Sequence, residues 1–180
     1  MSVSNSSEIS YRRLFLTALI VLGLDQLTKV WIIQKIPFGT YSTVDSIEII
    51  PDFFYLVHIG NKGAAWGMFA GYSLALAIFA LIALVAIYLF RDTLELQKKP
   101  MQYSFGLITG GVIGNLIDRL LHQHVIDFLD FHLPFSIPKI LEGGRYPSFN
   151  IADSGIVVGV FIYIFLTWWA DLSTKKEKAL

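Results

Sequence analysis

Four long apolar stretches, at roughly residues 14–33, 69–90, 103–121 and 151–170, dominate this chain. Each approaches the ~20 residues a helix needs to cross about 30 Å of hydrocarbon. Inside hydrocarbon only helices and closed barrels satisfy every backbone polar group. The composition agrees, with 54% hydrophobic and 16% charged residues, where soluble domains have about 45–50% and about 25%. The expected fold is therefore an all-α membrane protein: one unit over residues 1–180, a four-transmembrane-helix bundle. Arg12 and Arg13 before the first stretch resemble a secretory leader. The stretch is too long for one, carries Asp25 and Lys29, and lacks a small-x-small cleavage site before Gln34.

Charge placement orients the bundle. Arg12 and Arg13, then Arg91, Lys98 and Lys99, then Lys175, Lys176 and Lys178 fall on one side, mostly on short segments. Lys35, Lys62, Lys139 and Arg145 are spread over two longer connections on the other. The positive-inside rule puts both termini in the cytoplasm and the long connections on the outer side. The net charge is zero, so nothing argues for a nucleic-acid partner, and the absence of cysteine excludes disulfides and thiol catalysis.

Between the spans the chain varies. Residues 1–10 are Ser-rich and expected to be disordered, and residues 171–180 read as a polar cytoplasmic tail. Residues 34–68 hold two β-branched and aromatic runs, 46–50 and 53–59, around Pro51-Asp52. These predict two short strands and a small β-sheet platform in this first periplasmic loop. Phe53, Tyr55, Val57 and Ile59 would line one face of the second strand, Phe54 and Leu56 the other. The connection at 122–150 is expected to set Phe128, Phe131, Phe135 and Tyr146 at the membrane interface. No internal repeat is evident, which argues against an inverted-repeat transporter.

The polar residues inside the spans carry the functional signal, since a charge in hydrocarbon costs at least about 2.5 kcal/mol. Asp25 lies about 17 Å up the first helix from Leu14, and Lys29 about 6 Å further, on the same face. They serve as a structural ion pair, as participants in a site, or as both. In the third span Asn115, Asp118 and Arg119 share a face near the outer end, with Gly110 and Gly114 as a small-xxx-small packing pair. An amide and a guanidinium there can orient carboxylates or bind a substrate carbonyl. Asp127 follows among apolar neighbours that would desolvate it and raise its pKa. Asn150 reads as the N-cap of the fourth helix, with Asp153 at N3; an ordinary capping box would explain that tetrad without chemistry. Taken together, the two aspartates at one boundary form a candidate acid and base pair. Two carboxylates sharing a proton around a water can hydrolyse an amide without metal or covalent nucleophile. His122 and His124 form an H-x-H that would need His132 or an aspartate to hold zinc; surface histidines are the commoner reading, and no metal site is assigned. A proton-coupled exporter is the second reading, disfavoured because its carboxylates belong near the midplane.

Five motifs then resemble one family. They are Asp25-x-x-x-Lys29; Asn61-x-Gly63-Ala64-Ala65; Gly110-Gly111-x-x-Gly114-Asn115-x-x-Asp118-Arg119; Val125-x-Asp127-Phe128; and Phe149-Asn150-x-Ala152-Asp153-Ser154. In this order, over residues 14–170, the chain resembles the lipoprotein signal peptidases (signal peptidase II) of bacterial inner membranes. The resemblance implies a metal-independent aspartic endopeptidase without cofactor. It would cut diacylglyceryl-modified prolipoproteins, within membrane lipid, on the amino side of the lipidated cysteine. It implies Asp127 and Asp153 as the catalytic dyad, and Asp25, Lys29, Asn61, Asn115, Asp118, Arg119 and Asn150 as dyad support or substrate contacts. It also implies inhibition by globomycin-type cyclic peptides. Two departures are visible: Trp66 in place of the usual phenylalanine, and a long stretch at 133–147.

Overall fold

The protein is seen here as a computed structural model that describes residues 10–40, 45–63, 71–137 and 142–177. Nearly all of the Ser-rich start, expected to be disordered, lies outside the described residues. Four helices, α1 (Arg12–Lys35), α2 (Ser73–Leu89), α3 (Lys99–His122) and α4 (Ile151–Glu177), accompany three strands, β1 (Ile47–Ile50), β2 (Phe54–Asn61) and β3 (Val125–Phe131). Helices α1 and α4 are both long and apolar enough to cross a membrane. The 17-residue α2 is apolar but shorter; the first residues expected in it, 69 and 70, lie outside the described residues. Helix α3 is long enough, at 24 residues, but its apolar run is interrupted by Asn115, Asp118 and Arg119. It begins four residues before the expected Tyr103, because Pro100 is tolerated in a first helical turn. Helix α4 continues past the expected end at Ala170 to Glu177. The polar segment expected as a tail contains no Gly or Pro to stop a helix, and Lys175 pairs with Asp171 one turn below at 2.7 Å.

Helix α3 is the centre of the bundle, packed between α1 and α4 and touching α2. Glycines make this possible. A Cβ on Gly110 would stand 2.6 Å from the Ala18 carbonyl oxygen of α1, and one on Gly111 would collide with the Ala152 carbonyl oxygen of α4. Gly114 does more than pack, since its missing side chain leaves the space taken by the Asp25 carboxylate. Gly111→Ala should therefore wedge α3 from α4 and destabilise the protein by about 1–3 kcal/mol, the usual cost of overpacking. Thermal unfolding in detergent measures it, and an unchanged Tm would show that the helices separate freely. Outward, Phe15, Leu19 and Leu27 of α1, Phe79 of α2, and Phe161, Phe165 and Trp168 of α4 are each more than half exposed. So continuous an apolar surface suits lipid rather than water.

The sheet is antiparallel in the order β1-β2-β3. The two expected strands are present, with Asp52 in the turn at φ +56°. Tyr55, Val57 and Ile59 pack together, while Leu56 turns to a cluster of Ile32, Ile36, Ile126 and Phe128 at the end of α1. The third strand has no counterpart in the sequence reading. It forms because Gln123 takes a left-handed conformation, φ +63°, ends α3 and turns the chain back along β2. This strand corrects the expected placing of Phe128. Phe128 is buried in the cluster under the sheet, and Phe131 stacks on Phe54 at 4.5 Å. Phe135 and Tyr146 remain exposed.

Candidate active site

The site forms where the sheet meets the outer end of the bundle. The β2–β3 register pairs Ile59 with Asp127 and Asn61 with Val125, so Asn61 reaches across the ladder and donates Nδ2 to Asp127 Oδ2 at 2.9 Å. Asn150 donates Nδ2 to the other oxygen, Oδ1, at 2.8 Å. Asn150 also caps α4 as expected, its Oδ1 accepting the Asp153 N–H at 2.9 Å. The Asp153 carboxylate is engaged across the bundle, where Oδ1 accepts from Asn115 Nδ2 at 2.7 Å. The two amides are themselves joined, Asn150 Nδ2 to Asn115 Oδ1 at 3.2 Å. A chain Asp127–Asn150–Asn115–Asp153 thus links the two carboxylates across three elements, β3, α3 and α4. A local capping box does not need that chain.

Beneath this pair lies a buried ion cluster. Lys29 Nζ stands 2.8 Å from Asp25 Oδ2, 2.8 Å from Asp118 Oδ2 and 3.2 Å from Asn115 Oδ1. All three charged residues are at most 1% exposed. Pairing alone rarely compensates such burial; further hydrogen bonds must satisfy the remaining oxygens. They do so through backbone. Asp25 Oδ1 accepts the Ala152 N–H at 2.9 Å, and Asp118 Oδ2 accepts the Ile126 N–H at 3.0 Å. Each carboxylate therefore grips the residue just before one member of the aspartate pair.

Arg119 completes the mouth. Its Nη2 donates to the Gly63 carbonyl and its Nη1 to the Asn115 carbonyl, both at 3.2 Å, while its buried Nε has no partner among the described residues. Gly63 N–H in turn donates to Asn61 Oδ1 at 2.9 Å. Ala64, Ala65 and Trp66 of that motif lie outside the described residues.

Asp127 is an unusual acid. Burial first, and the neighbouring charge of Asp153 second, push its carboxyl up to about 8, against the opposing bonds from Asn61 and Asn150 and the charge of Lys29.

All the polar residues singled out in the sequence meet at this end, and Gly110 and Gly114 stand at the α1–α3 contact behind it. Two further residues escape the sequence pattern. Gln26 lies between Asp25 and Asp118; its place beside Asp25 is the one signal that points to it. Asp130, 2% exposed, is held by His132 Nε2 and Arg145 Nε, each at 2.8 Å, and by Ser148 Oγ at 2.9 Å. It clamps the base of the long stretch at 133–147, where Leu133 N–H also meets the Gly144 carbonyl. His132 is thus engaged with Asp130, and among the described residues no three acidic or histidine side chains converge as a metal site.

A helix bundle in lipid, with two aspartates joined through side-chain amides at one end and a buried ion cluster behind them, defines a polytopic membrane protein with an acid-pair site. Known proteins refine that class. The family profile described as Signal peptidase (SPase) II matches residues 17–169. The lipoprotein signal peptidase of Oleidesulfovibrio alaskensis is 38% identical over 82% of this chain and 88% of its own length. That of Bacillus subtilis is 33% identical over 91% and 97%, respectively. A bacterial membrane enzyme solved by the in meso method at 2.3 Å superposes with a TM-score of 0.75 at 35% identity, covering 91% of this chain and 92% of that one. The chain belongs to the signal peptidase II family.

Proposed function

We propose that Asp127 and Asp153 are the catalytic dyad with which this member of the signal peptidase II family, an aspartic endopeptidase of the bacterial membrane, removes signal peptides from diacylglyceryl-modified prolipoproteins. The observation that carries the reading is the chain of amides joining the buried Asp127 carboxylate to the half-buried Asp153 carboxylate, with Asp127 still able to hold a proton near neutral pH. The pair shares that proton. The ionised carboxylate takes a proton from water as its oxygen attacks the carbonyl carbon preceding the lipidated cysteine. The protonated partner then gives its proton to the departing nitrogen as the C–N bond breaks. The signal peptide leaves with a new carboxylate, and the lipidated cysteine with a free amine. Arg119 and Asn115 support the substrate backbone, Arg119 with its Nε, which has no partner among the described residues. The acyl chains remain in lipid against the exposed apolar helix faces. The distribution of Lys and Arg supports cytoplasmic termini and a site toward the periplasmic face of the inner membrane.

The test presents a diacylglyceryl-peptide to the purified protein with chelator present. Cleavage on the amino side of the modified cysteine, blocked by a globomycin-type cyclic peptide, is expected. An intact peptide, or cleavage that needs added metal, would overturn the reading.

The raised Asp127 value sets the pH dependence. Its folded value, about 8, exceeds the ordinary 3.8, so the folded protein binds a proton the unfolded chain has released between those limits. Stability from this group falls as pH rises from about 4 to about 8. The singly protonated pair is lost above that range. The cleavage rate should therefore decline with an apparent value near 8, belonging to the pair rather than to one residue. A rate still rising at about pH 9 would contradict it.

A further inference from the structure

We infer that Gln26 is a positioning residue of the same site: its carboxamide, with Lys29, holds Asp25 and Asp118 at a set spacing, and through them fixes the separation of Asp153 from Asp127. The inference rests on the dyad reading above. Gln26 Nε2 lies 3.1 Å from Asp25 Oδ2 and 3.1 Å from Asp118 Oδ1, with the Gly114 carbonyl oxygen at 3.3 Å. These neighbours are a carbonyl and carboxylate oxygens, so the nitrogen, not the oxygen, must face them. Lys29 Nζ meets the same two carboxylates from the next turn of the helix.

The remaining oxygens of these carboxylates point to the working parts. Asp25 Oδ1 holds the N–H of Ala152, the residue before Asp153, and Asp118 Oδ2 is shared between Lys29 and the N–H of Ile126, the residue before Asp127. The path from one dyad member to the other therefore runs Ala152, Asp25, Gln26 and Lys29, Asp118, Ile126. Lys29 supplies the charge that lets the two anions coexist. Gln26 supplies a neutral second bridge, which fixes their angle as well as their distance. The Gln26 amide makes no hydrogen bond to the dyad oxygens among the described residues and carries no charge, so its effect is on geometry, whereas Lys29 also acts on both carboxylates through its charge.

Gln26→Leu keeps the volume and removes the donor. It should leave membrane insertion intact and KM within about twofold, while lowering kcat ~10-fold, since small misplacements of reacting groups cost rate steeply. Its pH–rate profile should also change, with the separation between the acid and alkaline limbs altered, because that separation reads the coupling of the two carboxylates. An unchanged kcat and profile would overturn the inference. So would a loss of kcat that merely tracks a lower Tm with both limbs in place. Asp127→Asn, measured alongside, separates the two claims: an inactive Asp127→Asn with a wild-type-like Gln26→Leu sinks only the role of Gln26, whereas an active Asp127→Asn sinks the dyad as well.

Discussion

Asp127→Asn and Asp153→Asn should each lower the cleavage rate at least about 10³-fold, the scale of losing a general acid or base, while the protein still inserts and binds its substrate. Each substitution keeps the shape of the side chain. An amide at position 127 would retain an oxygen for Asn61 or Asn150, and an amide at position 153 one for Asn115, so the hydrogen-bonded chain of the site need not collapse. What each substitution removes, on the proposed mechanism, is the shared proton. The double variant should be no worse than either single one, because the two groups act as a unit. Cleavage of a diacylglyceryl-peptide by each purified variant checks this. Rates within about tenfold of wild type for either would remove that residue from the chemistry.

Lys29→Met should be the most destabilising single change at this end of the bundle, by about 3–5 kcal/mol, and should also abolish cleavage. Removing one partner of a buried ion cluster leaves uncompensated charge behind, here the Asp25 and Asp118 carboxylates, each 2.8 Å from the missing ammonium. Methionine fills the space but neutralises nothing. The two carboxylates would respond by taking up protons or by letting water in, and either response loosens their hold on the Ala152 and Ile126 N–H groups. Thermal unfolding in detergent, compared with Lys29→Met combined with Asp118→Asn, isolates the charge effect. The second substitution should restore part of the stability but not the activity. A Tm for Lys29→Met equal to wild type would show that the cluster is not held by its charge balance.

The long stretch at 133–147 illustrates a part of the molecule whose role emerges only in three dimensions. As sequence it is a Pro- and Gly-containing connection with scattered aromatics. Folded, its base is closed by the Asp130 clamp and by backbone bonds from Leu133 and Tyr146 to Gly144 and Phe131. Its far end delivers Phe149, whose carbonyl accepts the N–H groups of both Phe128 and Leu129 beside Asp127. The connection therefore carries Asn150 and α4 to β3 at a defined place.

The helices are legible in the residues alone, because backbone buried in lipid must be helix or closed barrel, and these apolar runs have the length of a spanning helix rather than of a barrel strand. So is the height of Asp25, Lys29, Asn115, Asp118 and Arg119 along their own helices, because helical rise converts residue number directly into distance. The capping of α4 by Asn150 is equally legible, being a contact made within one turn. Folding in three dimensions was needed to create β3, to face Asp127 toward Asn61 across a strand ladder, and to bring Asp25 and Asp118 onto the backbone beside Asp153 and Asp127. Those contacts join residues far apart in the chain, and neither periodicity nor local propensity encodes which distant donor will reach a given oxygen. Gln26 shows the limit plainly: next to Asp25 it looks like any polar residue at a helix surface, and its importance comes from Asp118, 92 positions away.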